Sequence, residues 1–246
     1  MTLSTLAERP DLAAGIPDLL AARWPAFLLA GEPGHGADLT GLVLANPRHQ
    51  VVLTGEDGAL AGVGLSVPVR WDGTRAGLPA GWDGAVAAAA RLREDGGRPD
   101  AACALSITLA PAASGRGHAR RLLDALRTAT AGAGGRALIA PVRPVYKSRY
   151  PLIAMDRYLT WRTPEGEPFD PWLRLHTAAG GRVLGLAYPS MSVTGSVAAW
   201  SAWTGTALPG PGSYLVPGGL VPLRVRRDAR SAVYREPNVW VAHAVG

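Results

Sequence analysis

The stretch Leu109-Ala-Pro-Ala-Ala-Ser-Gly-Arg-Gly-His-Ala-Arg-Arg-Leu-Leu-Asp-Ala-Leu126 decides the fold. An apolar run of strand length, 102–109, leads into it and stops at Pro111. Residues 117–130 have helical spacing, with Leu122, Leu123 and Leu126 on one face, and the glycines from Gly132 to Gly135 close the helix. A second buried strand is expected at 136–142. Strand, glycine turn, helix and strand in succession make a βαβ unit, which implies parallel strands. The turn itself has chemistry. Gly115 and Gly117 let backbone N–H groups point outward without Cβ obstruction, and the helix start adds partial positive charge. Together these make a cradle for a pyrophosphate, bordered by Ser114, Arg116, His118, Ala119, Arg120 and Arg121. Neither a P-loop nor a three-glycine dinucleotide fingerprint is present. Taken alone, a two-glycine turn more often just turns the chain into a helix.

Outward from this unit, residues 11–29 have helical spacing, with Pro17 either in the first turn or splitting the helix. A hairpin is expected at 50–71, strands flanking the turn 55–58. A helix follows at 85–94, stopped by Gly96-Gly97. Beyond Pro144 the chain becomes irregular and aromatic. A short helix at 170–179 has Asp170 as N-cap, Pro171 at its first position and Gly180-Gly181 beyond its end. The pattern then predicts a strand at 182–188, a helix at 193–203 and late strands at 214–225 and 231–245.

Composition narrows the function. With 48% apolar and 18% charged residues, 246 residues form a folded core and not a disordered chain. No apolar run reaches the ~20 residues of a membrane-spanning helix. The first ten residues lack a basic segment followed by an apolar one, which speaks against a secretory signal. The single cysteine, Cys103, sits in an apolar run and is expected to be a small buried hydrophobe in a cytoplasmic protein. The net charge of +6 is almost all arginine, since Lys147 is the only lysine. These arginines are dispersed and not interleaved with aromatics, so a phosphate-bearing small molecule accounts for them at least as well as nucleic acid. No His-Glu-x-x-His or other metal spacing occurs, and no metal is expected.

The segment Ser114-Gly-Arg-Gly117-His-Ala119, with Pro111 ahead and Arg120-Arg-Leu-Leu123 behind, resembles the pyrophosphate motif of the GNAT superfamily of acyl-CoA-dependent acyltransferases. That motif is Gln/Arg-x-x-Gly-x-Gly/Ala. Gly117 and Ala119 fall on its two small positions, and Ser114 replaces the usual Gln or Arg. The resemblance implies an α/β (α+β) fold with a mixed central sheet flanked by helices. The family's fourth and fifth strands, here 102–109 and 136–142, would splay to admit the pantetheine arm. It implies one domain over 1–246, with a core at about 47–190 and a C-terminal extension at about 191–246. Thr108, Leu109, Ser114, Gly115, Arg116, Gly117, His118, Ala119 and Arg120 would then bind the cofactor, an acyl-CoA, either acetyl-CoA or malonyl-CoA. A backbone N–H near Thr108 or Leu109 would serve as an oxyanion donor.

The family's usual general base is a glutamate on or near the fourth strand, but 102–109 holds no carboxylate. Its usual acid is a tyrosine in a pattern like Leu-Tyr-x-x-x-Gly-Phe. The matching stretch is Leu175-His176-Thr-Ala-Ala-Gly180-Gly181, so His176 stands at the tyrosine position. Histidine titrates near neutrality and can act as acid or base. Tyr146 is the second catalytic candidate, since Tyr146 and Lys147 follow the fifth strand and would face the acyl end. His35, His49, His118 and His243 rank below His176.

The tail from Asp170 to His243 is similar to the GNAT-like loading domains of polyketide synthases. In that group a histidine assists decarboxylation of malonyl-CoA or transfer to a carrier-protein thiol. Three functions follow. The first is transfer of a short acyl group from CoA to the amine of a small molecule. The second is decarboxylation and S-acyl loading of a carrier protein, for which a thiol needs less base assistance. The third is a non-catalytic acyl-CoA-binding module. Partners are accordingly a small acceptor or an acyl carrier protein, not nucleic acid or membrane.

Overall fold

A computed structural model describes residues 1–33, 36–228 and 230–245, and His35 lies outside them. The chain opens with strand β1 (Thr2–Thr5), a 3-10 turn and helices α1 (Ile16–Ala21) and α2 (Ala26–Ala30). The single helix expected at 11–29 is thus broken. Pro17 starts α1, and Pro25 separates α1 from α2, because proline fits only a first turn. Next come β2 (Glu32–Pro33), α3 (Leu39–Ala45) and the hairpin β3 (Val51–Thr54) and β4 (Leu60–Val69). The central unit follows: α4 (Gly81–Glu94), β5 (Ala101–Leu109), α5 (His118–Gly132) and β6 (Ala137–Val142). The second half holds α6 (Met155–Tyr158), α7 (Pro171–Ala178), β7 (Arg182–Ser196) and α8 (Val197–Thr204). Strands β8 (Gly212–Tyr214), β9 (Leu223–Val225) and β10 (Ser231–Ala244) end it.

One sheet of ten strands runs β1-β3-β4-β5-β6-β10-β7-β2, with β8 and β9 joined to the edge of β10. Among the described strands β5 and β6 make the one parallel pair. The last strand is not peripheral. β10 pairs with β6 over six residues and with β7 along most of its length, so the C-terminal extension supplies a central strand. Residues 193–196, expected to be helical, instead continue β7. Pairing with β10 at Val193↔Tyr234 through Ser196↔Ser231 outweighs the helical spacing of Val197, Trp200 and Trp203, which α8 then uses. The expected strand at 214–225 is two three-residue strands, interrupted around Pro217 and Gly218.

Two apolar layers cover the sheet. On one face α1, α3 and α4 pack over residues such as Val63, Val67, Cys103, Ile139 and Trp240. On the other, α5, α6 and α7 pack over Leu53, Ala102, Leu138, Val239 and Val241. The alternation of Leu138 and Ile139, and of Val239 and Trp240, between these layers is the period-two signature of a doubly covered sheet. Cys103 is fully buried, and burial pushes its thiol pKa well up.

Candidate active site

The parallel ladder between β5 and β6 is short. It pairs Ala102 with Leu138 and Cys103 with Ile139 and goes no further. The cause is local. On its other side β5 pairs Ser66 with Ala104 and Leu65 with Ser106, so Leu105 is an extra residue. Such a bulge bends the strand that carries it. Trp82 Nε1 fixes the bulge by donating to the Leu105 carbonyl at 3.0 Å. Beyond it the strands part, and a cleft of about 300 Å³ opens between them. Ala104 to Leu109 form one wall and Ala140 to Arg143 the other.

At the mouth lies the glycine turn. Gly115 and Gly117 both have φ of +76°, the left-handed region that favours glycine, and a Cβ at either would meet open space. Gly117 is the N-cap of α5, without a side-chain cap, and the first backbone bond there runs from Arg121 N to Gly117 O. The N–H groups of the first turn are therefore open. Thr108, Leu109, Ser114 and Ala119 line the cleft; Gly115, Arg116, Gly117, His118 and Arg120 sit on the turn and first helical residues outside it. Two of the three arginines here are engaged. Arg120 pairs with Asp124 at 2.8 Å, and Arg121 donates to the Met1 carbonyl. Among the described residues Arg116 has no such partner and is exposed.

Ala110 N donates to Ala61 O across β4. Strand amides alternate in direction, so the N–H of Leu109 faces the opposite edge, toward the gap. Thr108 is buried and its hydroxyl accepts from Trp24 Nε1 at 3.1 Å, which brings the start of the chain onto the cleft.

His176 projects from α7 into the cleft and is only 2% exposed. Asp170 sets the start of that helix. Its Oδ1 accepts from Trp172 N and Leu173 N, and its Oδ2 accepts from Tyr146 N and from the Tyr158 hydroxyl, both at 2.8 Å. The Trp172 ring stands edge-on to the His176 imidazole at 5.2 Å. His176 Nδ1 lies 2.9 Å from His243 Nε2 on β10. Among the described residues His176 Nε2 has no hydrogen-bond partner, and it is the nitrogen left for the cleft. Burial, then the neighbouring His243, push the His176 pKa down to about 3. Burial pushes His243 down to about 4. Both rings are therefore neutral at pH 7.

Sequence reasoning ranked His243 low. It lies 67 residues from His176, and only the placement of β10 beside β6 and β7 brings the two together. Tyr146 stays outside the cleft lining. Its ring lies under the Arg149 guanidinium at 4.0 Å and edge-on to Phe169. Lys147 turns away from the cleft. It is fully buried and donates to the carbonyls of Tyr150 and Leu220, and burial lowers its pKa to about 8. Arg143 and Asn238, which sequence reasoning did not single out, line the cleft as well.

The cleft thus combines open N–H groups at a helix start, a slot between splayed strands and an imidazole at its side. No protein-family model matches the chain. Over 99% of its length it is 29% identical to arginine N-acetyltransferase avaD of Aspergillus versicolor, of which 94% is covered. The GphF GNAT-like decarboxylase, solved with isobutyryl-CoA, covers all of this chain at 19% identity with a TM-score of 0.54, and all of that structure is matched. The loading GNATL domain of CurA from Lyngbya majuscula covers 99% at 14% identity, also with a TM-score of 0.54, over 97% of that domain. The fold is the GNAT fold.

Proposed function

We propose that residues 1–246 act as one domain that transfers a short acyl group from acyl-CoA to the amine of a small molecule by direct attack on the thioester. The observation that carries this reading is His176 Nε2, unpartnered at the side of the β5–β6 gap, with Nδ1 held by His243. The CoA pyrophosphate sits on the open N–H groups from Gly115 to Arg120, with Arg116 as the available cation. The pantetheine arm runs between β5 and β6. The acyl oxygen accepts from the Leu109 N–H beside Thr108, which stabilises the charge that develops on it. The amine nitrogen bonds to the acyl carbon. His176 Nε2 takes the proton that this nitrogen loses and returns it to the sulfur as the carbon–sulfur bond breaks. Tyr146 acts at one remove, because its backbone N–H and α7 share the Asp170 carboxylate.

An amine acceptor is supported by the likeness to avaD, whose name states that it acetylates arginine. A second reading, decarboxylation of malonyl-CoA with loading of a carrier-protein thiol, is favoured by one observation. The described cleft lining contains no Asp or Glu to serve as an amine's base. Parallel incubation with acetyl-CoA and malonyl-CoA, followed by mass spectrometry with and without His176→Ala, separates the two. The first reading expects acetylated amine and intact malonyl-CoA. Loss of carbon dioxide that requires His176 would establish the second. Acyl-CoA bound but never turned over would leave only a binding module.

A further inference from the structure

We propose that the acceptor bears a carboxylate next to its nucleophilic amine, as in an α-amino acid, and that Arg143, Asn238 and Ser106 are its seat. The inference rests on the acyl-transfer reading above and names the acceptor class for it. Arg143 follows β6 at the edge of the gap. Its Nε donates to Glu236 Oε1 at 2.8 Å, and its Nη2 donates to Glu236 Oε2 at 3.0 Å and to the Gly218 carbonyl at 2.6 Å. Glu236 is fully buried and also accepts from the Tyr234 hydroxyl at 2.7 Å. One edge of the guanidinium is thereby fixed. Among the described residues Nη1 keeps both of its donors free, on a side chain that lines the cleft. A fork held in place before binding loses little freedom when a carboxylate arrives.

Two further atoms ask for a ligand. Asn238 is 1% exposed. Its Nδ2 donates to the Pro141 carbonyl at 3.3 Å, which settles the direction of the amide and leaves Oδ1 buried without a partner. The Ser106 hydroxyl is likewise buried and unpartnered. Both line the same cleft as Arg143. Buried polar atoms in native proteins are almost always satisfied, so unpaired ones in a cleft point to what fills it. A carbonyl oxygen can only accept, and it therefore asks for an N–H. Asn238 lies two residues before Trp240 on β10 and shares its face, where α1 and α4 pack. The glycine turn belongs to the opposite face, that of α5. The charged residues of the cleft lining are Arg23 and Arg143, with no carboxylate among the described ones, which suits an acceptor with an anionic end.

The test uses the full chain with acetyl-CoA and three matched series: the common α-amino acids, their carboxamides and their decarboxylated amines. The acids should exceed both other series by at least about tenfold in kcat/KM, the scale of one lost charge-assisted hydrogen bond. Asn238→Leu and Arg143→Lys should narrow that ratio while acetyl-CoA affinity stays put. Should Arg143→Lys fail to fold, the series on the unaltered protein still decides. Carboxamides or simple amines acylated as well as the acids overturn the inference and leave the acyl-transfer reading standing. An Arg143→Lys defect confined to malonyl-CoA relative to propionyl-CoA overturns it too, by placing the carboxylate on the donor. Acylation of no member of any series overturns both.

Discussion

At the scale of single residues, the proposed mechanism rests on two neutral imidazoles. His176 and His243 are held below the ordinary histidine range, to about 3 and about 4, because burial disfavours the charged form. A neutral His176 is the form that accepts a proton. The same shifts tie stability to pH. Below about 6.5 the unfolded chain binds protons at these positions that the native chain refuses, so stability is full above that pH and is lost as pH falls toward the native values. Buried His49 adds in the same direction. Asp83, raised to about 6 by burial, opposes them over part of the window. Thermal melts from pH 8 to pH 4 should show the melting temperature dropping below about pH 6.5. In His243→Leu that drop should be shallower. A variant profile parallel to that of the parent protein would count against the pair as its source.

Among elements, the proposed function rests on α7 and the glycine turn. Asp170 is buried and accepts four hydrogen bonds, two of which cap α7. Asp170→Ala should destabilise the fold by ~2 kcal/mol or more, through the lost cap and the donors left bare. Chemical denaturation measures this, and the activity of the remaining folded protein should fall because His176 shifts with its helix. Gly117→Ala tests the turn. The φ of +76° costs an alanine there ~1 kcal/mol. Its methyl would meet no protein atom, only the space assigned to phosphate. Acyl-CoA affinity measured by calorimetry should drop about tenfold or more, with a smaller loss of stability.

These elements were also the legible ones. β5, α5, β6 and α7 announce themselves through apolar period, glycine placement and an Asp-Pro helix start, all local signals. What failed was decided by distant partners. Residues 193–196 have apolar residues at helical spacing, yet β10 holds them as strand. The site divides in the same way. His176 and the glycine turn sit in short stretches whose resemblance to a family's motifs singles them out. The His243 contact, the orphaned Asn238 oxygen and the Glu236 clamp on Arg143 exist only once β10 lies between β6 and β7.

Across the whole molecule, a chain start, a central βαβ unit and a C-terminal strand converge on one gap. Trp24 reaches Thr108 from the first, the glycine turn belongs to the second, and His243 comes from the third. β10 covers the far side of β6 and β4 the far side of β5, so the backbone edges left unpaired where β5 and β6 part are those that face the gap. No helix among the described residues is long and apolar enough to cross a membrane. The central claim is that acyl-CoA fills this gap with its thioester at His176. The most direct measurement pairs two readings on His176→Gln: acetyl-CoA affinity by calorimetry, and the single-turnover rate of acyl transfer to an amine. The account predicts affinity within about twofold of the unaltered protein and a rate lower by at least about a hundredfold, the usual scale of a positioned acid–base group. An unchanged rate would contradict it.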